Sequence, residues 1–288
     1  MKTECTAGQL EFHGLGRRTV VGQFDGGKIS SGSGGLLLRE VEQRTHILKR
    51  LAGCFVDYRD PDQIEHTVES LIKQRVMGLA LGYEDLNDHD TLRHDPLLAL
   101  LSDKPDLSGK TRKRDQDKGC ALAGKSTLNR LELTPLDADA ASRYKKIVVD
   151  PEGMDDLLAD LFLEAHDTAP AEIILDVDAT DDPLHGNQEG RFFHGYYRSY
   201  CYLPLYIFCD EHLLCARLRK SNQDGAAGTV DELARIVERI RSSWPKTRII
   251  VRGDSGFCRD DLMLWCETNG VDYVLGMPKN SRLKVIIA

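Results

Sequence analysis

Residues 172–191 read EIILDVDATDDPLHGNQEGR. The apolar run Ile173-Ile174-Leu175 has the character of a buried strand. Four acids follow within seven residues: Asp176, Asp178, Asp181 and Asp182. Pro183 and Gly186 close the stretch as a turn. Residues two apart on a strand share a face, so Asp176 and Asp178 lie side by side if the strand runs that far. Like charges so placed cost energy unless a cation or proton sits between them. Mg²⁺ is such a cation, since it takes carboxylate oxygens and keeps several waters. Alone, the stretch reads more readily as a solvated acidic turn, a common feature after a strand. A second site weighs against that. Residues 248–257 read RIIVRGDSGF, where the apolar run Ile249-Ile250-Val251 delivers Asp254 between Gly253 and Gly256. Ligands in open α/β sheets gather beyond the carboxyl ends of strands. Two strands that each end in an acid are the minimum for a two-carboxylate site for Mg²⁺ or Mn²⁺.

Outward from these strands the pattern stays α/β. Residues 192–202 are aromatic and β-prone, and 203–209 and 213–219 are apolar runs, read as antiparallel strands after the first. Residues 229–242 form a helix with Thr229 as cap and Glu232 at the third position, a capping box. A strand over 248–252, a helix over 260–269 ended by Gly270, and a strand over 271–275 complete the order β, β, β, α, β, α, β. That order predicts a ribonuclease-H-like mixed α/β sheet.

The first half is mainly helical. A strand over Thr19–Phe24 runs into a turn at Asp25-Gly26-Gly27, then a small-residue loop over 30–35. One amphipathic helix is expected over 36–51, with Leu37, Val41, Ile47, Leu48 and Leu51 inside. A second is expected over 63–81, with His66 exposed on it. Residues 82–96 are dense in Asp and His, but interleaved leucines favour short packed helices capped by Asp. Residues 106–120 carry Lys110, Arg112, Lys113, Arg114 and Lys118, and read as an exposed linker or a basic loop facing phosphate. Helices over 122–133 and 155–166 follow. The expected division is a mainly helical region over 1–105, a linker with helices over 106–168, and an α/β core over 169–288.

The 288 residues suit about two domains. With 41% hydrophobic and 29% charged residues the composition is that of a globular protein. No apolar run approaches the roughly 20 residues that cross a bilayer, and the first residues lack the apolar segment of a signal peptide. A cytoplasmic protein, nucleoid-associated when bound to DNA, is expected. None of the eight cysteines forms a Cys-x-x-Cys pair, so they read as reduced, mostly buried thiols. A net charge of −8 argues weakly against a nucleic-acid coat protein, which would be basic, and leaves room for an enzyme acting on DNA.

With both acid sites located, the chain resembles the DDE transposases of bacterial insertion sequences, in the DDE group 1 domain family (the 1380 group of insertion sequences). The strings that carry this are long: FDGGKISSGSGGLLLREV at 24–41, RLAGCFVDYRDP at 50–61, QRVMGLALGYEDLNDHDTLRHDPLLALL at 74–101, LAGKSTLNRLEL at 122–133, ILDVDATDDPLHGNQEGRFFHGYY at 174–197 and VRGDSGFCRDDLMLWCE at 251–267. The resemblance implies two-metal phosphoryl transfer with Mg²⁺ or Mn²⁺. The implied partners are the terminal inverted repeats of an element, target DNA, and a second copy of the chain on that DNA. It maps the first catalytic Asp onto Asp178, with Thr180 beside it and Asp176 as a rival, and the second onto Asp254. The family's third acid, a Glu on a late helix, has no counterpart here, and Glu267 and Glu189 are the nearest local substitutes. The resemblance therefore implies a core truncated before its third acid, and an inactive or partial enzyme. The first half, roughly 1–165, would recognise the element's ends.

Two other classes compete. ILDVDAT also fits the D-x-D-x-T signature of haloacid-dehalogenase phosphatases, with Asp176 as nucleophile and Asp178 as acid/base. That superfamily needs a later G-D-x-x-x-D, and Cys258 stands four residues after Asp254. The third class is a non-catalytic transposase remnant that binds DNA ends.

Overall fold

The structure, a computed structural model, describes residues 9–23, 30–279 and 281–287. It divides into two compact units, Met1–Met154 and Asp155–Ala288. The turn expected at Asp25-Gly26-Gly27, and the end of the strand at Phe24, lie outside the described residues.

The first unit opens with an antiparallel hairpin of β1 (Leu10–Leu15) and β2 (Arg18–Gly22). Helices α1 (Gly35–Thr45) and α2 (Ile47–Gly53) follow where a single helix was expected. The chain breaks at His46, which adopts a left-handed φ of 55°. The cause is Glu42, only 4% exposed. Its carboxylate accepts the N–H groups of Leu48 (2.7 Å) and Lys49 (3.1 Å), capping α2 from inside. The inward face of α1 therefore carries Arg39 and Glu42, whereas Leu37 and Val41, expected inside, are exposed. Buried Arg39 donates to the carbonyls of His13 (2.6 Å) and Gly14 (3.2 Å) and to Asp103 (2.9 Å), which ties α1 to the hairpin.

After β3 (Phe55–Asp57), helix α3 runs Val68–Ala80, starting later than expected because Thr67 accepts the N–H of Ser70 at 3.2 Å. His66 therefore precedes the helix, and it is buried rather than exposed. Short helices α4 (His89–Leu92) and α5 (Pro96–Leu101) follow. Asp85 and Asp95 cap this region as expected, Asp95 accepting from Leu97 and Leu98. Helix α6 (Lys125–Glu132) and strand β4 (Ile147–Val149), antiparallel to β3, complete the unit. Its core gathers Leu71, Leu98, Leu101, Leu122 and Leu128.

Helix α7 (Pro151–Glu164) leads into the second unit. Its strands are β5 (Glu172–Ala179), β6 (Asp182–Pro183), β7 (Phe192–His194), β8 (Ser199–Tyr202), β9 (Leu205–Cys209), β10 (His212–Arg217), β11 (Arg248–Gly253) and β12 (Asp272–Leu275). The main sheet has the order β10-β9-β5-β11-β12. Strand β5 is antiparallel to β9 and parallel to β11, and β11 is parallel to β12. Residues 192–202 form a hairpin that pairs with β6 in a separate small sheet. Alternation along the main strands puts Ile173, Leu175, Val177, Ile249 and Val251 on one face. They pack against Leu233, Ile236, Val237 and Ile240 of α8 (Thr229–Ser243), and Leu262 and Cys266 of α9 (Asp260–Thr268). The other face of β5 carries Glu172, Ile174, Asp176 and Asp178. A last helix, α10, spans Ser281–Ile287.

The expected capping box of α8 is absent. Gly228, at φ 76°, supplies the turn into the helix, and the buried Thr229 hydroxyl has no partner. Glu232 instead binds Arg217 at 2.7 Å, a stronger partner than a backbone amide. The described cysteines are free thiols, and Cys120, Cys201, Cys209, Cys215 and Cys266 are buried. Among the described residues no helix is long and apolar enough to cross a membrane.

Candidate two-carboxylate site

The site grows from the parallel pairing of β5 and β11. Their register matches Arg252 with Asp176 and Gly253 with Val177. The pairing ends at Gly253, so Asp254 stands just past the end of β11. Packing is close there: a Cβ on Gly253 would stand 2.8 Å from Val177 Cγ2 and 3.1 Å from Phe257 Cβ. Beyond Gly253 the chain leaves the strand. Asp254 Oδ1 accepts the N–H of Gly256 at 2.7 Å, which starts a short 3₁₀ turn over Ser255–Phe257. Buried Phe257 anchors that turn in the core.

Asp178 is exposed, paired in the ladder with Tyr206 of β9, and no described side chain forms an ion pair with it. Asp176, two residues earlier on the same face, is held bidentately by Arg252, with Nη2–Oδ2 at 2.7 Å. Arg252 thus compensates the charge of Asp176. Thr180 follows the end of β5 and is exposed.

Tyr197 was not singled out from the sequence. Its hydroxyl donates to the Ala179 carbonyl at 3.4 Å. Burial pushes the phenol upward, and the negative charges of Asp181, Asp178 and Asp254 push it further. Only the Asp and the β-branched pattern were visible in sequence; a tyrosine on a distant hairpin carried no signal.

The family relation decides what such a pair belongs to. The transposase DDE domain group 1 family matches residues 12–288. The chain belongs to that family. No curated protein matches it, and no solved structure does.

For this transposase chain, the donor set fits a hard divalent ion in part. Two exposed carboxylates offer oxygen ligands of the type Mg²⁺ takes, with waters completing the shell. Among the described residues, however, no three His, Cys, Asp or Glu side chains group closely enough to hold a metal. Glu267 sits at the end of α9 and accepts from the Tyr273 hydroxyl at 2.9 Å. It lies near the start of β12, whereas Asp254 lies past the end of the parallel strand β11. Glu189 is exposed in the loop before β7, where its carbonyl accepts from Tyr202.

The basic segment is partly committed to its own unit. Arg112 pairs with Glu65 at 3.0 Å and Asp117 at 3.6 Å and touches His66. Lys113 bonds to Glu65 through its N–H and to the Asp62 carbonyl through Nζ. Lys110 and Arg114 are exposed.

Proposed function

We propose that the chain is the transposase of an insertion sequence, and that Asp178 and Asp254 hold divalent metal for strand cleavage and transfer at the terminal inverted repeats. The observation that carries this is the parallel pairing of β5 and β11, with exposed Asp178 near the end of one strand and exposed Asp254 just past the end of the other. The strand order supports a ribonuclease-H-like core: β5 pairs antiparallel with β9, which pairs antiparallel with β10, and on its other side β5 pairs parallel with β11, which pairs parallel with β12. When bound, Mg²⁺ or Mn²⁺ would polarise a phosphoryl oxygen and lower the pKa of an attacking water. The protein's own part is positional. The turn at Gly253–Phe257 fixes Asp254, and β9 fixes Asp178. Arg252 removes the charge of Asp176 from the neighbourhood, and Thr180 lies beside the acids as an accessory group. The raised pKa of Tyr197 keeps its hydroxyl protonated and able to donate.

The helical first unit is the proposed reader of the element's ends, with Lys110 and Arg114 open to phosphate and target DNA entering at the second unit. A pair of copies on one DNA complex would bring two ends together. With two carboxylates as its ligands among the described residues, an ion is weakly held, and a misplacement of about 1 Å costs roughly 10²-fold in rate. Slow cleavage is therefore expected from this pair alone, which leaves non-catalytic binding of DNA ends as the second reading.

The test combines two measurements. Mn²⁺ should raise the melting temperature, since a ligand of the folded state stabilises it. The Asp178→Asn/Asp254→Asn double variant should lose that rise. Strand cleavage at a cognate end with Mn²⁺ then separates enzyme from non-catalytic binder. An equal thermal shift in the double variant would remove the shared site.

A further inference from the structure

Helix α6 turns Leu128 and Leu131 into the core of its unit. Helical spacing then leaves two outward rows, Lys125 with Asn129 and Ser126 with Arg130. These rows, with Asn87, Tyr144 and Lys145, line a cavity of about 550 Å³. That is far more room than a single inorganic anion needs.

The charges around it are unevenly matched. Lys125 is offset by Asp90 at 3.2 Å and bonds Asn87 at 3.1 Å. Arg130, Arg143 and Lys145 have no ion pair among the described residues. Both guanidiniums lean on one ring: Arg130 Cζ stands 5.6 Å and Arg143 Cζ 4.8 Å from the centroid of Tyr144. A cation over an aromatic face is attracted by its quadrupole, so the ring holds two flexible side chains near one place. Their planar N–H forks stay free, and such forks match phosphate oxygens in pairs. The 110–114 segment differs, because Arg112 and Lys113 are already bound to acids and carbonyls of their own unit.

We propose that this cavity grips the sugar–phosphate backbone of duplex DNA, with Arg130, Arg143 and Lys145 as its cations and Tyr144 as the ring that positions them. The proposal rests on the reading that the chain acts on DNA, and it assigns the contact to a surface separate from the carboxylate pair. Phosphate contacts carry no base sequence, so this surface sets register and affinity, not specificity.

The experiment uses the full chain and a fluorescein-labelled DNA duplex of about 30 base pairs and arbitrary sequence, read by anisotropy over a salt series. Each phosphate contact contributes roughly 0.9 to the slope of log K against log salt. The Arg130→Ala/Arg143→Ala/Lys145→Ala variant should lose about 2 to 3 from that slope and bind at least tenfold more weakly at low salt. Tyr144→Phe should bind as the parent does, and Tyr144→Ala should bind more weakly. Arg130 is exposed, so Arg130→Glu alone serves if the triple variant fails to fold. An unchanged slope, no duplex binding by the parent chain, or equal or tighter binding to an RNA duplex of the same length overturns the proposal. The salt series is run without divalent metal, so it does not depend on the carboxylate pair. Failure of the metal reading therefore shows in the Mn²⁺ melting shift, and failure of this one in the salt slope.

Discussion

The two units treat charge in opposite ways. The first buries it: Arg39, Glu42 and Lys73 are each at most 5% exposed. Each is matched inside, with Lys73 placed 2.9 Å from Asp103 and 3.6 Å from Glu42. The second unit builds an apolar core between a sheet and its helices and moves its acids to the strand ends. There Arg252 compensates Asp176, and Asp178 is left without a partner. Matched, buried charge fixes geometry, because breaking it strands an ion away from water. Unmatched, exposed charge contributes little to folding and stays free to bind something else.

The sharpest way to break this contrast is Glu42→Ala. It removes two backbone caps and leaves Lys73 short of a partner, so a loss of about 3–5 kcal/mol is expected in denaturant unfolding. A loss near zero would mean that the buried network does not hold the first unit together.

His66 gives the next effect. Burial pushes its pKa down from the ordinary value of 6.5 to about 3, helped by the cations Lys104 and Arg112. The depressed imidazole is neutral when folded, while the unfolded chain takes up a proton as pH falls below about 6.5. Its contribution is thus complete above pH 6.5 and is lost as pH falls toward 3, with no further change below. His66→Gln should flatten the stability profile in that window relative to the parent. Parallel profiles for the two proteins would show that His66 is not kept neutral.

Thr229→Val is smaller and of opposite sign. The buried Thr229 hydroxyl has no partner, so replacing it with a methyl group should be neutral or stabilise by about 1 kcal/mol. A destabilisation above that would reveal a hydrogen bond. Smallest of all is Asp178→Asn without metal, expected within about 0.5 kcal/mol of the parent. A large loss would make Asp178 a structural residue and end the contrast between the units.

Local patterns carried well from sequence to structure. The apolar runs Ile173–Leu175 and Ile249–Val251 marked the strands, and the caps at Asp85 and Asp95 followed from residues two or three positions away. The break at His46 did not, because a helix reading counts apolar residues and has no place for a glutamate that caps from inside. The roles of Asp176 and Asp178 were also undecided, since both share a strand face. Arg252, which separates them, is 76 residues from Asp176 in sequence.

The sequence by itself determined the α/β class, the family and the two acids at strand ends, because these depend on short-range periodicity and on the order of long strings. Only the tertiary structure decided which acid stays unpaired, which charges are buried and which cations converge at α6. Those outcomes depend on strand register and on partners far along the chain, and burial converts such partners from weak surface contacts into strong constraints.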